Sequence, residues 1–293
     1  MESSNGDLTS MFETVVGMRG IIFSQTRQID YCLHLLAKQR DGEESLADGD
    51  PEVFRVILTM IHMVGISGHS MLKLTEEVDL GVRDAFPLAR GIIEGVINIC
   101  LIMAEGPDSA AKAARHAEVK AYRDLKREWN VGSRTISLSH TYQLPSTEIA
   151  RLDAMLPEFT TKKGRERNWT DLTIAQRLDV VSETFPNSAL VSLNASTFNI
   201  YSHASEIIHG SYFSAGYFWG LTLPGRGAPK DSDEFRLTLA NHQFSVLMST
   251  IFAYAGLVEC FASYVKFPEL LTQTNEHLDR LRKLPSVAGA WND

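Results

Sequence analysis

The sequence has few of the features that mark secreted, nucleic-acid-coating or metal-binding proteins. Its three cysteines, Cys32, Cys100 and Cys260, lie far apart and match no metal-binding spacing. The 28 basic residues are outnumbered by 36 acidic ones, and the net charge of −8 argues against broad coating of nucleic acid or anionic membrane. We therefore expect buried thiols in a reducing compartment, and no more than a local basic patch.

The sequence also lacks a targeting or membrane-spanning signature. The first ten residues, MESSNGDLTS, are acidic and polar, without the basic and apolar regions of a secretory signal. The apolar, uncharged stretch Gln243 to Val258 is shorter than the roughly 20 residues that a spanning helix needs. These observations predict a cytoplasmic protein that does not associate with a membrane.

Apolar residues recur with helical spacing along most of the chain, and no convincing run alternates with the period of a strand. Asp50 followed by Pro51 has the order of an N-cap and a first helical residue, which predicts that a helix begins there. No shift in composition marks a domain boundary. The sequence predicts an all-α fold, a single multi-helix bundle-like domain over residues 1–293 with an irregular insertion around 130–170.

A polar column runs through the predicted helix Pro87 to Ala104, which is otherwise strongly apolar. Arg90, Glu94 and Asn98 recur every fourth residue and so lie within about 80° of one another on the helix surface. An unpaired charge in a core is very costly, and one carboxylate cannot satisfy the five donors of a guanidinium. We therefore expect this helix to be central and buried, and a second polar element to face the column.

The best candidate for that second element is the segment NIYSHASEIIHGS, residues 199–211. Its Tyr201, Ser205 and His209 repeat with the same four-residue spacing. We predict a buried polar cluster that binds or processes a small or nucleic-acid ligand. The predicted members are Arg90, Glu94, Tyr201, Ser205, Glu206 and His209. Buried networks of this kind also fix helix register without any other function, and that structural alternative stays open.

His209 is predicted to be the more important of the two histidines in this segment. It precedes Gly210, where the helix can end, and the helix macrodipole together with Glu206 favours its charged form. A charged His209 could act on an anionic group or as a general acid, or it could cap the last turn. His203, Glu206 and His209 spread over about 120° of helix surface, which is wide for a single ion. We predict neither a metal nor an organic cofactor.

A third polar line consists of Arg55, His62 and His69, which repeat every seven residues and so return to nearly the same helix face. This line either extends the polar interior or forms the exposed side of an amphipathic helix. The secondary site candidates are Arg55, His62, His69, His203 and Trp169.

The pairing of LARGIIE with the later YSHASEIIHGS resembles an uncharacterised bacterial all-α family of unknown function. Its members have an Arg-x3-Glu helix, a middle segment with Trp and a Tyr-x3-Ser-Glu-x2-His-x-Ser ending. The matching residues here are Arg90, Glu94, Trp169, Tyr201, Ser205, Glu206, His209 and Ser211. The resemblance covers roughly residues 57–262 and implies a helical domain with a polar cluster, without a settled activity. A role in bacterial stress or phage defence is a working hypothesis.

One alternative is a HEPN-like ribonuclease, a helical enzyme that pairs an Arg with a His across four to six intervening residues, completed across a dimer. Four pairs have this loose spacing: Arg27–His34, Arg55–His62, Arg134–His140 and Arg236–His242. The His would act as general acid or base while the Arg holds the scissile phosphate. The basic segment KKGRER offers four side chains to RNA phosphates: Lys162, Lys163, Arg165 and Arg167. A solvated basic loop is the more common explanation of such a run.

A further alternative is a non-enzymatic interaction module with a structural polar cluster. The aromatic patch SYFSAGYFWG, residues 211–220, or the long helix from about Asp233 to Lys266 would then form a homodimer interface. The sequence contains no Gly-rich phosphate loop, no His-Glu-x2-His helix and no Gly-x-Ser-x-Gly elbow that would indicate another enzyme class.

Overall fold

The computed structural model of the chain describes residues 2–42, 46, 49–137, 143–222 and 227–288. Helices hold 76% of the chain, which confirms the predicted all-α multi-helix class. The elements of the described residues are α1 (Glu2–Arg40), α2 (Pro51–Leu74), α3 (Val82–Glu105), α4 (Pro107–Leu125), β1 (Glu128–Val131), β2 (Arg134–Ser137), α5 (Ser146–Met155), a 3-10 turn (Leu156–Phe159), α6 (Ile174–Thr184), α7 (Asn187–Ile208), α8 (Tyr212–Tyr217), α9 (Ser232–Tyr264), α10 (Glu269–Arg282) and α11 (Pro285–Ala288).

Helices α9 and α3 form the centre of the molecule. Helix α9 packs against α1, α3, α7 and α10, and its buried residues run from Leu239 to Ala262 on every side. A helix that is apolar all round is stable only where neighbours cover all of its faces. Helix α3 packs against α2, α6, α7 and α9, and most of its length is buried. The predicted central position of the helix containing Pro87 to Ala104 is confirmed.

The first residues of α2 and α3 are determined in different ways. Helix α2 begins at Pro51, and the Asp50 carboxylate accepts hydrogen bonds from the backbone of Glu52 and Val53, as the N-cap pattern predicts. Helix α3 begins at Val82, five residues before Pro87. Proline removes one intrahelical hydrogen bond, but burial of the preceding apolar turn favours the longer helix.

The expectation of no strands is wrong for one short segment. Strands β1 and β2 form an antiparallel hairpin in which Trp129 lies opposite Ile136. The turn contains Gly132 at a φ of 60°, a left-handed conformation that glycine adopts without strain. Each strand has four residues and all are exposed, so no buried face imposes the alternating pattern by which strands are recognised in a sequence.

The three cysteines are free and buried, as predicted. Burial raises the pKa of the Cys32 thiol to about 12. The thiol of Cys260 on α9 is hydrogen-bonded to that of Cys100 on α3, and its pKa is also raised. The Cys32 and Cys260 thiols therefore stay protonated near neutral pH.

Helices α2, α3 and α9 are long and apolar enough to cross a membrane by length and composition. The uncharged run of α9 extends from Leu237 to Val258, so the sequence expectation, which began at Gln243, underestimated its length. In α9, 83% of the apolar window is buried against the rest of the protein, compared with 39% in α2.

Candidate functional site

Tyr201 on α7 contacts the Arg90–Glu94 pair on α3. The Arg90 Nε donates to Oε1 of Glu94 at 2.9 Å, and the Tyr201 hydroxyl donates to the same oxygen at 2.6 Å. The guanidinium carbon of Arg90 lies 4.7 Å from the centre of the Tyr201 ring, within the range of a cation–π contact. We call these three side chains the Arg90–Glu94–Tyr201 cluster. The structure thus brings together three of the six predicted residues.

The cluster is half-buried, which corrects the prediction of a buried one. The exposed fractions of the side chains are 23% for Arg90 and 37% for Glu94. This face of α3 is only partly covered by its neighbours, and the adjacent Gly91 is exposed. Burial is the largest single effect and opposes the charge of Arg90, but the hydrogen bond and charge of Glu94, together with the smaller contribution of Tyr201, exceed it and raise the Arg90 pKa. Burial, followed by the bond to Glu94, raises the pKa of Tyr201.

The third residue of the α3 column, Asn98, has a partner on α6. The Nη1 of Arg177 donates to Oδ1 of Asn98 at 2.7 Å, and its Nε donates to the Leu172 carbonyl at 3.0 Å. Arg177 is not among the site residues predicted from the sequence. The regular column indicates that polar partners exist, but the residue that supplies one depends on how α6 packs against α3.

The other three predicted cluster residues lie toward the C-terminal end of α7. Glu206 and His209 are exposed, Ser205 is half-buried, and His209 is the C-cap residue, followed by Gly210 at a φ of 62°. No hydrogen bond between described residues joins these three side chains to the Arg90–Glu94–Tyr201 cluster. His209 lies two turns, roughly 12 Å, beyond Tyr201 along the helix, so a shared face does not imply a shared contact.

His203 belongs to an aromatic stack on a different side of α7. Two residues rotate a helix by about 200°, which turns His203 away from Tyr201. Its ring lies 5.1 Å from that of Tyr217 and 6.0 Å from that of Phe213, and its buried Nδ1 has no hydrogen-bond partner among the described residues. Tyr217 also contacts His242, with ring centres 4.4 Å apart. Burial lowers the pKa of His242 to about 4, so this ring is neutral at pH 7.

Arg55, His62 and His69 are all exposed on α2, so their line is the outer side of an amphipathic helix. The guanidinium of Arg55 is ion-paired with Glu52 at 2.6 Å. Trp169 is buried, and it lines a separate cleft of about 540 Å³ beside α4.

The four Arg–His pairs differ in their placement. The Arg27–His34 pair on α1 and the Arg55–His62 pair on α2 are exposed. In the Arg236–His242 pair the histidine belongs to the aromatic stack. In the Arg134–His140 pair the histidine lies outside the described residues. The ribonuclease alternative stays a prediction.

The basic segment forms an exposed turn closed by a backbone bridge between Thr160 and Glu166. The exposed side chains are Lys162, Lys163, Arg165 and Arg167. The Arg167 guanidinium is ion-paired with Asp171, which reduces the positive charge that the turn offers to a phosphate. Binding of nucleic acid at this turn stays a prediction.

A cleft of about 780 Å³ lies between α6 and α7, and Tyr201 forms part of its wall. Apolar side chains dominate the remaining wall, among them Leu178, Leu190 and Phe198. Phe198 is 90% exposed, an unusual position for a phenylalanine with no covering partner. Among the described residues, no group of three or more His, Cys, Asp and Glu side chains is placed to hold a metal ion.

Residues 77–225, just over half of the chain, match the family of unknown function DUF5677. The chain belongs to this family. The matched residues of DUF5677 include all of α3, α6 and α7, and hence the Arg90–Glu94–Tyr201 cluster and the walls of the α6–α7 cleft. Comparisons with curated proteins and with solved structures found no match. The resemblance to an uncharacterised family is thereby confirmed, whereas a bacterial origin and the roles of the motif residues stay predictions.

Proposed function

We propose that the protein binds a small organic molecule in the α6–α7 cleft and recognises its polar edge with the Arg90–Glu94–Tyr201 cluster. One observation carries the proposal: Tyr201 lines the cleft and also donates its hydroxyl to Glu94. A ligand in the cleft would therefore meet a largely apolar wall and Tyr201, whose hydroxyl connects the cleft to the charged Arg90–Glu94 pair. Pockets for small molecules typically combine a largely apolar lining with a few converging polar groups.

The size and lining of the cleft favour a flat, partly apolar ligand. Its volume of about 780 Å³ lies within the range of roughly 300–1,000 Å³ that is typical of ligand pockets. The exposed ring of Phe198 offers a large apolar surface that a planar molecule could cover. Covering that surface would contribute favourable free energy to binding.

The chemistry of the cluster favours a ligand with adjacent N–H and C=O groups. The hydrogen bonds between described residues use Nε and Nη2 of Arg90 and Oε1 of Glu94. The Nη1 of Arg90 can still donate, and Oε2 of Glu94 can still accept. A donor beside an acceptor matches a cyclic amide or the edge of a nucleobase.

The test measures binding of two planar compounds, the cyclic amide uracil and the aromatic amide nicotinamide, by ligand-observed NMR and by thermal shift. Tyr201→Phe and Glu94→Gln should each weaken binding roughly tenfold, because each removes part of the polar recognition. Tyr122→Phe is the matched control, since it breaks a similar 2.7 Å hydrogen bond to a carboxylate, that of Asp153, away from the cleft. Equal effects of the two tyrosine variants, or no binding of either amide, would contradict the proposal.

For the cellular setting we propose the cytoplasm, without membrane association. The buried free thiols and the burial of most of the apolar stretch of α9 support this proposal. Fractionation of cells that produce the protein tests it, and recovery in the membrane fraction would contradict it. A role in bacterial stress or phage defence is a further hypothesis, tested by plating phage on strains with wild-type or Tyr201→Phe protein.

We also propose a homodimer formed through the aromatic patch at residues 211–220. Tyr212 is 90% exposed and Trp219 is 50% exposed, and large exposed aromatic side chains are common at interfaces. Sedimentation velocity should show a dimer that Tyr212→Ser dissociates. A wild-type monomer at all concentrations would contradict this proposal.

A further inference from the structure

Two clefts meet at Glu259, on the side of α7 that faces α10. One cleft, of about 360 Å³, lies between α7, α9 and α10, and the other, of about 460 Å³, lies near the end of α9. Ser188, Glu259 and Leu271 line both of them. These clefts share no lining residue with the α6–α7 cleft.

Glu259 is an acidic side chain in α9, the central helix, which is buried along most of its length. It is 7% exposed and lies between Val258 and Cys260, both buried. The hydroxyls of Ser188 and Ser192 are its hydrogen-bond partners, and they partly offset the effect of burial, which raises its pKa. None of the ion pairs that join described residues includes Glu259. A carboxylate offers about four acceptor positions, so two hydroxyl donors leave it capacity for a further partner.

We propose that Glu259 is the counter-ion of a second ligand site, which binds an alkylammonium ion through the cleft between α7, α9 and α10. A buried carboxylate is costly without a compensating charge, and a bound ammonium group supplies that charge together with up to three donors. The walls of this cleft carry Phe252, Leu278 and Leu281, which suit an alkyl chain. The ligand class is therefore a primary amine with a short apolar tail.

Charges at the margins of the clefts favour a monoamine over a polyamine. Arg282 lines the α7–α9–α10 cleft, but its guanidinium is paired with Asp279 at 2.7 Å. Lys266 lines the second cleft and would repel a second ammonium group that extended beyond Glu259. A single positive charge at Glu259 avoids this repulsion.

The experiment measures binding of n-hexylamine, n-hexanol and spermidine by calorimetry at one fixed, near-neutral pH. Wild-type protein should bind n-hexylamine at least roughly tenfold more tightly than n-hexanol, because only the amine forms a charge-assisted bond. Glu259→Gln keeps the shape of the side chain but replaces the charged carboxylate with a neutral amide, and it should therefore remove that preference. Glu276→Gln makes the same change at an exposed position of α10 and should leave binding unchanged.

Two further variants locate the site. Leu271→Trp fills the stretch common to both clefts and should weaken binding of the amine and the alcohol alike. Tyr201→Phe should leave hexylamine binding unchanged, which separates this proposal from that of the α6–α7 cleft. The proposal would be overturned if the wild-type protein bound no amine, bound the amine and the alcohol equally, or bound spermidine more tightly than hexylamine. It would also be overturned if Glu259→Gln or Leu271→Trp left amine binding unchanged at equal folded fraction.

Discussion

The Tyr201 hydroxyl donates a 2.6 Å hydrogen bond to Oε1 of Glu94, across 107 positions of the sequence. This bond joins α7 to α3, two helices that pack along each other in the middle of the DUF5677 match. The acceptor is already paired with Arg90, so a single carboxylate oxygen connects all three residues. The bond thus links the stability of the α3–α7 interface to the cleft that Tyr201 lines.

Tyr201→Phe should lower the free energy of unfolding by about 1.5–3 kcal/mol, the range for a hydrogen bond to a charged group. A double-mutant cycle with Glu94→Gln, measured by urea denaturation, should give a coupling energy of about 0.5 kcal/mol or more. Strict additivity of the two variants would show that the bond contributes nothing to stability.

Arg90→Ala should cost about 1–2 kcal/mol, less than the roughly 3–5 kcal/mol expected when a fully buried ion pair loses one partner. The smaller value follows from the 37% exposure of the Glu94 side chain, which lets water reach the unpaired carboxylate. Arg55→Ala is the control, because it removes an exposed ion pair with Glu52 and should cost about 0.5 kcal/mol or less. A similar loss in both variants would mean that the cluster behaves as an ordinary surface pair.

Glu259→Gln should raise stability near neutral pH relative to the wild-type protein. Burial raises the pKa of Glu259 in the folded state, so the wild type loses stability as pH rises from the unfolded-state pKa through the folded-state pKa. Glutamine does not titrate, and the advantage of the variant should therefore vanish in acid, where Glu259 is protonated in both states. The measurement is urea denaturation across a pH series without added amine, and a pH-independent difference would contradict this account.

Gly68→Ala should destabilise the protein by about 1–3 kcal/mol, the range for overpacking a core. A methyl group at Gly68 would overlap the Tyr254 hydroxyl and lie 2.7 Å from Cγ2 of Thr26. The Tyr254 hydroxyl donates a 2.9 Å bond to the Val64 carbonyl that it could not keep in place. Gly91→Ala on α3 has open space around it and should be neutral or stabilising by up to about 1 kcal/mol. Thermal melts of the pair test this contrast, and equal melting temperatures would contradict it.

His203→Ala should destabilise the protein and His209→Ala should not. The ring of His203 stacks on Tyr217 and Phe213, whereas that of His209 is exposed at the end of α7. The prediction that His209 has the greater functional role is tested separately, by phage plating and by uracil-induced thermal shift at equal folded fraction. If His203→Ala abolished the phage phenotype and the uracil-induced thermal shift while His209→Ala kept both, the functional histidine would lie in the aromatic stack.

Much of the architecture is determined by residues that are close together in the sequence. The start of α2 depends on Asp50 and Pro51, and the length of α9 depends on an apolar surface that continues around the helix. The four-residue spacing of Arg90 and Glu94 fixes their ion pair, because neighbours at this spacing meet on any helix. These properties follow from helix geometry alone, and the sequence is sufficient to predict them.

Only the tertiary structure decided which helix surfaces contact each other. Tyr201 and His209 share a face of α7, yet only Tyr201 reaches the Arg90–Glu94 pair, because the contact depends on where α7 packs along α3. The same holds for the bond between Arg177 and Asn98 and for the clefts on either side of Glu259. Local periodicity fixes the direction of a side chain around its own helix. The relative translation and rotation of two helices is set by packing between residues far apart in sequence, and no local pattern records it.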